Sequence, residues 1–207
     1  MTDADLLPAG WSDLAAEIRT CTACSELAAS RTTVVVGVPP TRVPVLLVGE
    51  APGAAEDETG LPFVGRAGAL LDELLTEAGI AREAVGVANV LKCRPPGNRT
   101  PTRAEIGRCT GWLERQLALA RPRIVVTLGG TAAAWAFGRA VRLADVRGRT
   151  HDTAAVRGAS VFPTYHPSAA LRFGPRGEPR RLLAEDLRAV ARLLAEVSSM
   201  PARPSPS

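Results

Sequence analysis

The chain has 207 residues, 46% hydrophobic and 22% charged, a balance that suits one soluble domain with a sizeable core. No apolar run reaches the roughly 18 residues of a membrane span, and residues 1–10 lack the basic and apolar blocks of a secretory signal, so the expected compartment is the cytoplasm. Net charge is +4 and Lys92 is the only lysine; the arginine preference fits a GC-rich coding bias, while the sign suits a polyanionic partner such as nucleic acid.

Residues 11–29 read as a helical segment carrying Cys21-x-x-Cys24. A β run at 43–48 follows, then a helix over 69–78 with Leu70, Leu71, Leu74, Leu75 and Ala78 on one face. Next come a β run at 85–91 and a helix over 102–119 that opens with the capping-box pattern Thr102-x-x-Glu105. A third β run at 123–128 leads through Gly129-Gly130 into a short helix over 131–137, and a fourth spans 161–165. A long amphipathic helix covers 179–197, and the Pro/Ser-rich tail 201–207 is expected to be disordered. Short Val, Ile and Leu runs alternating with helices predict the α/β class: a three-layer α/β/α sandwich around a mainly parallel four-stranded sheet, in one domain over residues 1–200.

Ligands bind open α/β sheets at the carboxyl ends of their strands. Three polar residues fall there: Glu50 after the first run, Asn89 in the second and His166 after the fourth. The loop Thr59-Gly60-Leu61-Pro62-Phe63-Val64-Gly65 is placed to fold an aromatic ring back over them. Each residue has a plainer reading: Glu50 as a solvated turn residue, Asn89 as a strand cap, His166 as a satisfied core histidine, Phe63 as a hydrophobic plug. Together a carboxylate, an amide, an imidazole and an aromatic plate make a set able to recognise a nucleobase. The four cysteines, Cys21, Cys24, Cys93 and Cys109, read either as buried thiols or as a metal centre. Disulfides are disfavoured in the cytosol, and spacing alone does not separate zinc from a 4Fe–4S cluster.

Five linked signatures occur in order with these cysteines: Gly49-Glu50-Ala51-Pro52-Gly53; Gly60-x-Pro-Phe63-Val64-Gly65-x-Ala-Gly68; Asn89-Val-x-Lys-Cys93-Arg-Pro-Pro-x-Asn98-Arg99-x-Pro101; His166-Pro167-Ser168; and the cysteine pattern itself. In this the chain resembles the family 4, iron–sulfur uracil-DNA glycosylases over nearly its whole length. The resemblance implies a monofunctional DNA-repair hydrolase that flips uracil out of DNA, cleaves its N-glycosidic bond and leaves an abasic site. It implies a structural 4Fe–4S cluster on Cys21, Cys24, Cys93 and Cys109. Uracil would meet Gly49, Glu50, Ala51, Phe63, Asn89 and His166, with Glu50, His166 and, as a weaker candidate, Glu56 acting on the bond or its water. The best-known superfamily members carry Asp where Ala51 stands, which leaves the water-positioning group open. Ser168, Leu171, Arg172, Arg94 and Arg99 are the expected DNA contacts, Leu171 or Arg172 filling the space of the flipped base, although the arginines read equally as solvated surface. Residues 94–101 contain no histidine, so turnover rather than covalent trapping is expected. The partner is uracil-containing DNA, single- or double-stranded, and the expected state is a monomer. The alternative is a non-catalytic, metal-stapled DNA-binding protein that senses uracil or other lesions.

Overall fold

Strands that are apolar at every position must be covered on both faces, and that requirement organises this chain. The computed structural model describes residues 10–37 and 44–198. Its strands are β1 (Val45–Gly49), β2 (Val85–Asn89), β3 (Ile124–Leu128), β4 (His151–Thr153) and β5 (Val156–Thr164), and its helices α1 (Trp11–Arg19), α2 (Ser25–Ser30), α3 (Ala54–Thr59), α4 (Arg66–Glu77), α5 (Arg103–Ala120), α6 (Gly130–Phe137), α7 (Leu143–Val146), α8 (Pro167–Phe173) and α9 (Glu178–Ser198). The sheet order is β2-β1-β3-β5-β4, with parallel pairing throughout except between β4 and β5.

Side chains alternate across this sheet with period two. Leu46, Val48, Ala88, Val125 and Val161 pack with Trp11 and Ile18 of α1, Leu27 of α2, Leu113 of α5 and Trp135 of α6. Val45, Leu47, Val87, Val126 and Phe162 pack on the other face with Leu71 and Leu74 of α4, Ala170 of α8 and Leu187 of α9. The two clusters are the two interfaces of a three-layer α/β/α sandwich. No helix among the described residues is long and apolar enough to cross a membrane.

The expected strand count is corrected from four to five. The missed strand, β4, has three polar residues and forms an antiparallel edge ladder on β5. β5 itself begins at Val156, ahead of the expected run, because Arg157-Gly158-Ala159-Ser160 carries no apolar periodicity. The N-terminal helical segment is also two helices, and the break holds the C-x-x-C: Cys21 follows α1 and Cys24 is the N-cap of α2. The capping box stands as read, with Glu105 N–H donating to Thr102 Oγ1 at 3.2 Å and Thr102 N–H to Glu105 Oε2 at 2.7 Å. Val43 and the tail 201–207 lie outside the described residues.

Parallel registers align the carboxyl ends. Gly49 pairs with Asn89, Val48 with Thr127 and Leu128 with Thr164. Asn89, Glu50, Gly129 and His166 therefore leave neighbouring strands along one edge.

Candidate active site and cysteine pocket

The tightest point of this edge is the Cα of Gly49. A Cβ there would stand 2.4 Å from Asn89 Oδ1 and 2.6 Å from Cζ of Phe63. Amide and ring thus close over the same spot, which only a hydrogen fits. Asn89 is 2% exposed and its Oδ1 is buried without a hydrogen-bond partner. Buried polar atoms are nearly always paired, so an acceptor left open beside an aromatic face makes Asn89 a candidate ligand contact. The Phe63 and His166 rings lie 5.8 Å apart, tilted by 37°. The three residues proposed from sequence to read a base are brought together.

Phe63 holds this position at φ 55°, in the left-handed region that a bulky residue seldom adopts. What enforces it is α4, whose Gly68 would, with a Cβ, stand 1.7 Å from the Phe63 carbonyl oxygen. The loop is fixed at its other side by Glu56: Oε1 accepts from Gly65 N–H at 2.8 Å and Oε2 from Gly53 N–H at 3.0 Å. Glu56 is buried with each oxygen taking a backbone donor, so the structure gives it the work of a clasp. Both of its oxygens are thereby engaged within the protein.

Glu50 accepts a short hydrogen bond on Oε2 from Thr131 Oγ1, in the first turn of α6. The pair bridges β1 to the element following β3 and fixes the carboxylate at the strand ends. Thr131 is a site residue that sequence reading missed, although Gly129-Gly130 ahead of it marks a helix start at a strand end. Ala51 packs its methyl against the core beneath.

His166 is the N-cap of α8. Ser168 N–H donates to Nδ1 at 3.1 Å and Ser168 Oγ lies 2.8 Å from the same nitrogen. A backbone N–H only donates, so Nδ1 carries the lone pair and the neutral ring bears its proton on Nε2. Burial pushes this imidazole down to about 4, against an upward pull from Glu56. Ser168, expected at a phosphate, has orienting this ring as its contact within the chain. Exposed on α8 are Leu171 (37%), Arg172 and Phe173 (65%). Phe173, the most open of the apolar pair, was not foreseen.

Of the other arginines expected at phosphate, Arg94 donates from Nε to Asn98 Oδ1 at 2.8 Å within its own loop. Arg99 is engaged inside the protein: it contacts both oxygens of Glu105, at 2.7 and 2.9 Å, and Glu26 at 3.2 Å. Its guanidinium holds the Glu105 carboxyl down at about 2. Arg99 buckles the loop after β2 to α5 and α2, its guanidinium engaged with carboxylates of both helices.

Behind the sheet edge, Cys21, Cys24, Cys93 and Cys109 line one cavity with Leu27, Val34 and Trp112. Arg31 donates to Cys93 Sγ at 3.0 Å and Trp112 Nε1 to Cys21 Sγ at 3.4 Å. Burial pushes the Cys109 thiol up to about 11, with Lys92 pulling it down. Convergent thiols facing cationic and N–H donors fit a thiolate-ligated group, whose sulfurs take such hydrogen bonds. Among the described residues, no group of three or more Cys, His, Asp or Glu side chains is arranged to hold a single metal ion. Arg31 and Trp112 are neighbours that the cysteine spacing did not reveal.

Residues 36–188 match the model of the uracil DNA glycosylase superfamily. A type-4 uracil-DNA glycosylase of Thermotoga maritima is 47% identical over 171 residues, 82% of this chain and 87% of the relative. One from Pyrobaculum aerophilum is 42% identical (81% and 88% covered), and one from Archaeoglobus fulgidus is 41% identical (77% and 82%). The chain belongs to the uracil-DNA glycosylase superfamily, on its type-4 branch.

Burial of His166 couples its protonation to the stability of the fold. Between the usual 6.5 and about 4 the unfolded chain binds more protons, so the stability this group contributes is present above about pH 6.5 and lost as pH falls toward 4. With only two histidines in the chain, the ring is assignable by NMR. Its titration midpoint is expected near 4; a midpoint at the usual 6.5 overturns the neutral-ring reading.

Proposed function

We propose that this chain is a DNA-repair uracil-DNA glycosylase that extrudes uracil from DNA, hydrolyses its N-glycosidic bond and leaves an abasic site. The observation carrying the residue-level reading is the unpartnered Asn89 Oδ1 beside the Phe63 ring. Extrusion costs a few kcal/mol, and stacking on Phe63 returns about 1–3 kcal/mol. Asn89 Oδ1 accepts from uracil N3–H while the amide N–H faces O4. Cytosine presents an amino donor and a bare N3 at that edge, leaving the buried amide mispaired, which makes rejection strong.

Cleavage leaves negative charge on the departing uracil. His166, neutral with its proton on Nε2, donates toward O2, assisted by main-chain N–H of the Gly49–Gly53 turn. Pro52 has no N–H and Gly53 gives its own to Glu56, so that assistance falls to the Glu50–Ala51 part of the turn. A neutral donor meets the charge as it develops without neutralising it in the ground state, the condition for differential stabilisation. Glu50, its Oε2 held by Thr131, orients the water or stabilises the cationic sugar. Leu171 and Arg172, with Phe173 beside them, enter the space vacated by the base, and Arg172 and Arg94 face phosphate.

Cys21, Cys24, Cys93 and Cys109 would hold a 4Fe–4S cluster. When bound, it supplies iron–thiolate bonds joining the α1–α2 break, the loop after β2 and α5. The chain's own contribution there is donation from Arg31 and Trp112 to the sulfurs. A brown protein with about four irons per chain is expected, losing thermal stability on chelation; a colourless zinc protein overturns the assignment.

A labelled duplex with a single uracil, treated with alkali after incubation, tests the activity: an alkali-labile site is expected at catalytic enzyme. Its absence even at stoichiometric protein would favour recognition without cleavage. Asn89→Asp is expected to relax discrimination between uracil and cytosine by about 10²-fold or more; unchanged selectivity refutes the base-reading role. Glu56→Gln turns one acceptor into a donor facing a backbone N–H. Its kcat/KM is expected to fall at least about tenfold with the shape of the pH profile preserved. Loss of an ionisation from that profile would restore Glu56 to the chemistry.

A further inference from the structure

Lys92 is 1% exposed, and it is the single lysine of a chain that otherwise uses arginine. A buried ammonium needs its donors satisfied. Nζ donates to the main-chain oxygen of Asn89 at 2.8 Å and to Gln116 Oε1 at 2.5 Å. Gln116, itself 1% exposed, passes the contact on through Nε2 to the Val36 carbonyl at 2.7 Å. The Lys92 carbonyl accepts from Val35 N–H at 2.8 Å, and its main-chain N–H is hydrogen-bonded to the Cys109 thiol. One residue therefore touches the cysteine pocket with its backbone and the base-reading residue with its side chain.

The Asn89 carbonyl is the last of β2. Beyond it, Val90 and Leu91 N–H groups bond the Gly49 and Glu50 carbonyls at 2.9 and 3.0 Å, so the peptide after Asn89 sits at the junction of β2 and the Glu50 turn. Fixing the carbonyl fixes that peptide plane and, through the Asn89 Cα, the direction of the carboxamide. An ammonium is a compact donor that suits two oxygens in a closed pocket, whereas a planar five-donor guanidinium needs a wider set of acceptors. That accounts for a lysine at this one position.

We propose that Lys92 is a positioning residue for base selection, its ammonium pinning the Asn89 carbonyl so that the carboxamide presents its open acceptor to the flipped base. The proposal rests on the reading of Asn89 as the group that meets the base edge.

The test is equilibrium binding of the metal-loaded protein to duplexes carrying 2′-fluoro-2′-deoxyuridine or 2′-fluoro-2′-deoxycytidine, whose fluorine slows glycosidic cleavage. The ratio of the two Kd values does not depend on the active fraction. Lys92→Met is expected to lower the preference for uracil about tenfold, with metal content retained. Gln116→Met, which disturbs the same buried cluster while leaving the ammonium on Asn89, is expected to lower the melting temperature and keep the preference within about twofold. A wild-type preference in Lys92→Met, or an equal loss in both variants, overturns the proposal. Where Lys92→Met gives no soluble protein, Lys92→Gln, a shorter donor, takes its place; an intermediate loss supports the proposal and an unchanged ratio overturns it. Asn89→Asp separates the two layers: if it leaves the ratio unchanged, the reading of Asn89 itself has failed, and if it alone moves the ratio, only the role of Lys92 has.

Discussion

The missing side chain at Gly49 is the constraint on which the pocket depends. Asn89 from β2 and Phe63 from the loop before α4 both approach within 2.6 Å of the place a Cβ would occupy. Any other residue would push the amide and the ring apart. β1 is the inner neighbour of β2 and β3, so this opening lies between strands and the sheet itself forms its floor. The proposed selectivity for uracil thus depends on packing as much as on hydrogen bonding.

Around that opening, the walls are set by buried acids that accept main-chain hydrogen bonds. Glu56 joins the Gly53 turn to Gly65, and the adjacent Asp57 accepts from Thr32 N–H with both oxygens at 3.0 Å and from Thr33 N–H at 3.3 Å. Thr32 follows Arg31, the donor to Cys93. The first turn of α3 thus connects the Phe63 loop to the chain that borders the thiols. Lys92 makes a second connection at β2. The cysteine pocket and the pocket between Asn89 and Phe63 are two sides of one frame.

Most of the frame was legible in the sequence because it rests on local signals. The apolar runs, the Thr102–Glu105 box and the leucine face of α4 each specify an element without long-range help. The placement of Glu50, Asn89 and His166 at one edge followed from parallel topology alone. Legibility failed where a residue's role depends on a distant partner. Glu56 reads as a spare carboxylate until Gly65 N–H is seen on it, and Arg99 reads as a phosphate contact until Glu105 and Glu26 are found beside it. β4 was invisible because an edge ladder of three polar residues has no periodicity, and is defined only by its partner β5.

The way His166 is held has a consequence for how the environment acts on the protein. With Nδ1 occupied by Ser168 N–H and the ring uncharged, His166 in its proposed role adds nothing to the attraction for the DNA backbone. On the proposed reading that attraction falls to surface arginines, where counterions compete. On the same reading, ionic strength tunes encounter and residence on DNA, while the cleavage step inside the closed pocket proceeds largely indifferent to it.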